Sequence, residues 1–220
     1  MNDLIHCTRC ARLVACREAA ARKPASGFTA ADYWSKPVPG FGDPLARLII
    51  LGLAPGAHGA NRSGRPFTGD AAGTWLYPAL YHAGFSNQAE STRRGDGLAL
   101  KDAFITNVVK CVPPGNKPLP VEEAACAPFL EADFKNLPRA KVILTLGGVA
   151  LRGYLRWAKA RGTVKSVGAF GFSHGGEARV ENGHTILMSY HCSRLNTNTG
   201  RLTKPMFDRI FDRARKLVGG

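Results

Sequence analysis

Four of the six cysteines in this 220-residue chain fall in a pattern that can hold inorganic chemistry. Cys7-Thr8-Arg9-Cys10 is a C-x-x-C, in which a tight turn aims two sulfurs at one place. Cys111 and Cys126 stand with fourteen residues between them, where a Pro/Gly-rich loop runs into a helical segment. Four thiolates can enclose a tetrahedral zinc ion or an iron–sulfur cubane, and spacing does not choose between them. Two other readings stay open: buried cysteines packed as small apolar side chains, or a redox pair. The redox reading is weaker, because such a motif usually follows a strand and opens a helix, whereas this one lies at the start of the chain. Cys16 and Cys192 stand outside the pattern.

A second set of reactive side chains sits in residues 52–70, which carry His58, Asn61, Arg62, Arg65, Phe67 and Asp70 among five glycines. No G-x-G-x-x-G and no G-x-x-x-x-G-K-[ST] occurs, so neither a dinucleotide site nor a P-loop is supported. No helix is expected before the end of this loop. It follows a strand, and ligands of open α/β sheets bind outside the carboxyl ends of strands.

The elements that must position these groups alternate. Residues 47–53, 103–109, 141–146 and 185–190 are short apolar runs and read as buried strands. Residues 69–84, 121–137, 148–160 and 204–218 have apolar spacing of three and four and read as helices, with Pro78 and Pro128 weakening two of them. Strand–helix alternation predicts a three-layer α/β/α sandwich around a four-stranded parallel sheet. Residues 153–183 read as a helix end, a loop and a hairpin arm before the fourth strand. The chain reads as one domain, with residues 1–45 an extension carrying two of the cysteines.

Composition sets the outer bounds. Apolar residues are 45% and charged ones 21%, ordinary globular values that exclude collagen-like and disordered classes. No apolar run approaches the ~20 residues of a membrane span, and no leader pattern opens the chain. A reducing, cytoplasmic setting is therefore expected, where paired cysteines more often bind metal than form disulfides. The formal charge of +14 favours a polyanionic partner without locating a site.

Taken together, Cys7-x-x-Cys10, residues 52–70, Thr106-Asn107-Val108-Val109-Lys110-Cys111 with Pro113-Pro114-Gly115-Asn116, Cys126, and His191-Cys192-Ser193 with Thr199-Gly200-Arg201-Leu202-Thr203 resemble the iron–sulfur uracil-DNA glycosylases. The likeness is greatest to family five, or type B, and it is spread over the whole chain in matching order and spacing. It implies the uracil-DNA glycosylase fold, a [4Fe–4S] cluster on Cys7, Cys10, Cys111 and Cys126, and hydrolysis of the glycosidic bond of uracil in DNA, leaving an abasic site. A monomer in the bacterial or archaeal cytoplasm, brought to the nucleoid by DNA, is the corresponding expectation.

The resemblance also implies roles for single residues. Gly52, Ala54, Gly56, His58, Asn61 and Phe67 would form the base pocket, with Phe67 stacking on a flipped base. Asn107 offers an amide oxygen and nitrogen that match uracil N3–H and O4, although a strand-end Asn is also a common helix cap. His191 would donate near uracil O2, where charge develops as the base leaves. Asp70 would activate water or stabilise the sugar cation, because Ala54 replaces the first-loop carboxylate of other groups; it also reads as a helix N-cap. Gly56 stands where narrower relatives carry a tyrosine, so a wider range of damaged bases is expected. Arg194 and Leu195 would meet phosphate and the minor groove, and residues 110–118, with Lys110 and Lys117, would face DNA. Cys192 replaces the usual proline of the second motif, which predicts a less rigid loop. No lysine nucleophile is evident, so strand cutting is not expected. The rival class is a non-catalytic zinc- or iron–sulfur-containing nucleic-acid-binding module.

Overall fold

The computed structural model describes residues 2–168 and 170–219. Helices α1 (Asn2–Ile5) and α2 (Ala11–Arg22) form the extension and lead to a two-residue strand β1 (Phe41–Gly42). The sheet domain continues with β2 (Leu48–Gly52), α3 (Ala60–Ser63), α4 (Gly73–His82), β3 (Ala103–Asn107), α5 (Pro120–Lys135), β4 (Val142–Leu146) and α6 (Gly148–Lys159). It closes with β5 (Glu177–Arg179), β6 (Thr185–Ser189), α7 (Arg194–Asn198) and α8 (Lys204–Gly219).

The sheet order is β1-β3-β2-β4-β6-β5. Its four inner strands are parallel, as the alternation predicts, and β1 and β5 add short antiparallel edges. The expected hairpin arm is β5. Strands this short blunt the open edges against pairing with another chain. Every residue of β2 and β4 is buried, because helices cover both faces of a parallel sheet and leave no solvent side to alternate with.

Strand periodicity divides the core. Leu48 and Ile50 face α4 and α8 with Leu76, Tyr77, Phe207 and Phe211. Ile49 and Leu51 face α2, α5 and α6 with Leu13, Leu130, Leu151 and Tyr154. Both helices with an internal proline run through it without a break, α4 at Pro78 and α5 at Pro128. The loop after β2 differs from its expectation in containing a one-turn helix, α3, too short to show a period in sequence. Among the described residues no helix is long and apolar enough to cross a membrane.

Candidate active site

The loop after β2 is held by polar anchors near its C-terminal end. Arg65 is buried and pairs with Asp96 at 2.5 Å, while Tyr77 Oη donates to the Pro66 carbonyl at 2.7 Å. Directly after them Phe67 stands at φ +52°, a left-handed conformation unusual for a bulky residue. Gly73 accommodates that backbone: a Cβ there would lie 2.0 Å from the Phe67 carbonyl oxygen.

Phe67, Asp70, Asn107 and His191 line one cavity of about 320 Å³ at the carboxyl ends of the parallel strands. Ala54, Gly56, Asn116 and the Gly147-Gly148-Val149 turn complete much of its wall. Gly52 shapes this space from behind, since a Cβ there would lie 2.3 Å from Asn107 Oδ1 and 2.9 Å from Phe67 Cζ. Asn107 ends β3, is 3% exposed, and its Oδ1 has no protein partner. A buried acceptor of that kind costs free energy until a donor reaches it. No lysine lines the cavity among the described residues.

The two oxygens of Asp70 have separate work. Oδ1 accepts from the backbone N–H groups of Ala72 at 3.1 Å and Gly73 at 2.9 Å, capping the start of α4. Oδ2 lies against Gly56 and Gly59, where an added Cβ would approach to 3.2 and 2.2 Å. Gly59 thus admits the carboxylate; sequence gave no signal that distinguished it from the loop's other glycines. Across the cavity, the His191 ring lies 6.0 Å from that of Phe67. Burial lowers the His191 pKa, and the charge of Asp70 only partly opposes this, so the imidazole is held toward its neutral form.

The loop carrying His191 is fixed by contacts other than a proline. Cys192 is fully buried and its Sγ donates to the Ala72 carbonyl at 3.4 Å, two residues beyond Asp70. Burial, reinforced by Asp70, pushes that thiol up to about 12, so it remains a donor. Asn196 Nδ2 adds a bond to the His191 carbonyl at 2.8 Å. Cys192 thus joins the His191-Cys192-Ser193 segment to the helix start that Asp70 caps.

Three further expectations are corrected by the contacts these side chains make. Lys110 does not face DNA: it is 1% exposed, with Nζ 2.5 Å from both Asp133 Oδ2 and Thr106 Oγ1. Asn61 does not reach the base pocket, because α3 turns it inward and its Nδ2 donates to the Arg17 carbonyl at 3.1 Å. His58 also lies outside the cavity wall. Tyr33 Oη accepts from Ala25 N–H, leaving its hydrogen for His58 Nδ1 at 2.6 Å. Lys117, Arg194 and Leu195 are exposed, Leu195 to 75%. The sequence reading missed Asn116 and the Gly147–Val149 turn, although a glycine pair directly after β4 was a usable signal.

On the opposite face of the sheet, Cys7, Cys10, Cys111 and Cys126 line a single small cavity with Arg17. The Arg12–Glu122 pair at 2.7 Å joins α2 to α5 beside it. Burial raises the thiols of Cys10 and Cys111, and that of Cys126 to about 11. A cationic centre would be needed to hold them as thiolates. Among the described residues no three His, Cys, Asp or Glu side chains converge on one ion position. Four sulfurs around one small space supply the donor set that a zinc ion or an iron–sulfur group takes.

Fold and cavity together define an α/β/α protein with a ligand site at the strand carboxyl ends and a separate cysteine-lined chamber. A profile of the uracil DNA glycosylase superfamily matches residues 39–215, and the chain belongs to that family. It is 48% identical over 220 residues to the type-5 uracil-DNA glycosylase of Thermus thermophilus, covering 100% of this chain and 97% of the relative. The type-5 enzyme of Mycobacterium tuberculosis is 45% identical over 221 residues, 100% of this chain and 81% of its own. A type-4 uracil-DNA glycosylase from Thermotoga maritima is 37% identical over 52% of each chain.

Proposed function

We infer that the chain is a DNA repair glycosylase that hydrolyses the N-glycosidic bond of uracil in DNA. The observation that carries this reading is the unpartnered Asn107 Oδ1, buried in the same cavity as Phe67, Asp70 and His191. A flipped uracil stacked on Phe67 would give its N3–H to Oδ1 and accept on O4 from Nδ2. Cytosine, with an acceptor at N3 and a donor at C4, meets both atoms of that amide with the wrong polarity.

As the C1′–N1 bond breaks, its electron pair departs with the base and the sugar becomes oxocarbenium-like. Neutral His191 donates toward O2, where the charge gathers. Asp70 Oδ2 stabilises the sugar cation and takes a proton from the water whose oxygen bonds to C1′. The proton taken up by Asp70 passes through solvent to the departed uracil anion, which regenerates the carboxylate and leaves neutral uracil; no amine lines the wall among the described residues, so the product is an abasic site. Gly56 leaves Asp70 close beside it without a side chain between, which supports entry of larger deaminated or damaged bases. Exposed Arg194 and Lys117 supply phosphate contacts, and Leu195 the minor-groove contact.

The four-cysteine chamber is read as the site of a [4Fe–4S] cluster on Cys7, Cys10, Cys111 and Cys126, remote from the bond that breaks and serving the fold. Such a group would clamp the extension to the β3–α5 loop. The activity test is single-turnover release of base from oligonucleotides bearing uracil, thymine, cytosine or hypoxanthine. Release of uracil and hypoxanthine with cytosine retained is expected; retention of uracil would overturn the assignment.

A further inference from the structure

Arg17 on α2 is 6% exposed, and so deeply placed a cation needs anionic or acceptor partners. Its Nη1 donates to the Cys7 carbonyl at 3.2 Å and to Cys111 Sγ at 3.4 Å, while its Nε has no protein partner. The side chain also lines the four-cysteine cavity. Two other cations share that wall, Lys110 paired with Asp133 and Arg9 over the Phe129 ring, but the guanidinium of Arg17 is the one that donates to a cysteine sulfur. Four thiolates on an iron–sulfur core carry net negative charge, which Arg17 is placed to balance.

The main chain of the same residue faces the substrate loop. The Arg17 carbonyl accepts from Asn61 Nδ2 at 3.1 Å and from Ser35 Oγ at 3.4 Å. Ser35 N–H donates to the Asn61 carbonyl at 3.1 Å, and Trp34 N–H to that of Arg62 at 2.8 Å. These contacts hold α3, whose preceding turn contains the Gly56 and Gly59 that abut Asp70. One residue therefore touches the sulfur chamber with its guanidinium and the loop of the base cavity with its carbonyl.

We propose that Arg17 is a positioning residue that hydrogen-bonds the Cys111 sulfur that would ligate the cluster and, through its carbonyl, couples the cluster site to the substrate loop. This rests on the cysteine chamber being a cluster site. Removing a positive donor from a cluster disfavours its reduced, more negative state, so the reduction potential should fall. Loss of an outer contact also weakens metal retention, on the order of 10-fold.

The experiment compares anaerobically purified wild type with Arg17→Met, Arg17→Lys and Asn61→Ala. Iron and sulfide content, reduction potential, iron release to a chelator and amide exchange over residues 56–64 are measured on each. Arg17→Met should lower the potential, release iron ~10-fold faster and exchange faster in the loop. Arg17→Lys, which keeps the charge and a donor, should recover part of all three. Asn61→Ala should speed loop exchange while the potential stays at the wild-type value. Wild-type potential and release rate in Arg17→Met overturn the cluster contact, and a shifted potential with unchanged loop exchange overturns the coupling. Zinc or no metal in the wild type overturns the cofactor reading itself, a distinguishable failure. If Arg17→Met does not fold, wild type labelled with nitrogen-15 arginine should show arginine hyperfine coupling to the reduced cluster; its absence overturns the contact.

Discussion

The base cavity and the cysteine chamber lie in one molecule but are built on opposite terms. Around the cavity the backbone departs from its usual habits: Phe67 at φ +52°, glycines at 52, 56, 59 and 73 where a Cβ would crowd Asn107 or Asp70 or strike the Phe67 carbonyl, and Asn107 Oδ1 without a partner. Around the chamber the charges are mostly paired, Arg12 with Glu122 and Lys110 with Asp133 and Thr106. The first region keeps binding capacity in reserve for a ligand that enters and leaves. The second uses its polar groups on itself, which suits a group that stays. Asn61 lies between them, and Arg17 Nε, Asn61 Oδ1 and Asn107 Oδ1 are the buried side-chain atoms without partners among the described residues.

Substitutions can break this contrast. Asp70→Asn keeps an oxygen to cap α4 but removes the charge. Single-turnover uracil release should fall on the order of 10²- to 10⁴-fold, with a melting temperature close to wild type; an unchanged rate would remove Asp70 from the chemistry. Asn107→Leu should slow release roughly 10- to 100-fold and yet leave stability unharmed, because the acceptor it deletes has no partner in the folded chain. A clear fall in denaturation midpoint would instead make Asn107 a structural cap.

Lysines separate the two regions by a different measurement. Lys110→Met leaves the Asp133 carboxylate behind and should cost about 3 kcal/mol of stability, while the salt dependence of DNA binding stays as in wild type. Lys117→Met should do the reverse, reducing the slope of log K against log salt by about 1 with little change in unfolding. Equal salt slopes in both variants would take Lys117 off the DNA surface.

The smallest effect is expected from proton linkage at His191. Its pKa is lowered in the fold, so below its ordinary value of 6.5 the unfolded chain binds more protons and stability falls with pH. That loss ends once the pH drops beneath the depressed native value. His191→Gln should flatten this part of the melting-temperature profile, leaving the slope contributed by His174 and His184, whose pKa values burial also lowers. Parallel profiles for variant and wild type would show that His191 does not titrate differently on folding.

Much of the frame was legible because its signals are local. Leu48-Ile49-Ile50-Leu51 can only be a strand covered on both faces, and the alternation of such runs with helical segments predicts the parallel core. Edge strand β1 escaped notice because so few residues carry no period. Helix α3 was missed for the same reason. Lys110 was misread since a lysine beside a Pro/Gly-rich loop looks solvent-exposed, whereas its neighbour Thr106 and the distant Asp133 draw it inside. Nothing adjacent in the chain marks Arg17, whose partners lie at positions 7, 35, 61 and 111.

Residue types and their order therefore determined the α/β alternation, the strand-end location of the loop and the four sulfurs available to a cofactor, because backbone geometry and side-chain chemistry act over a few residues. Only the folded molecule decided which side chains share a cavity. It turned Asn61 away from the base site, buried Lys110, let Cys192 bind the helix start beyond Asp70, and gave Asp70 two separately employed oxygens. Burial, desolvation and hydrogen-bond satisfaction depend on neighbours tens of residues distant, and those neighbours exist only once the sheet has assembled.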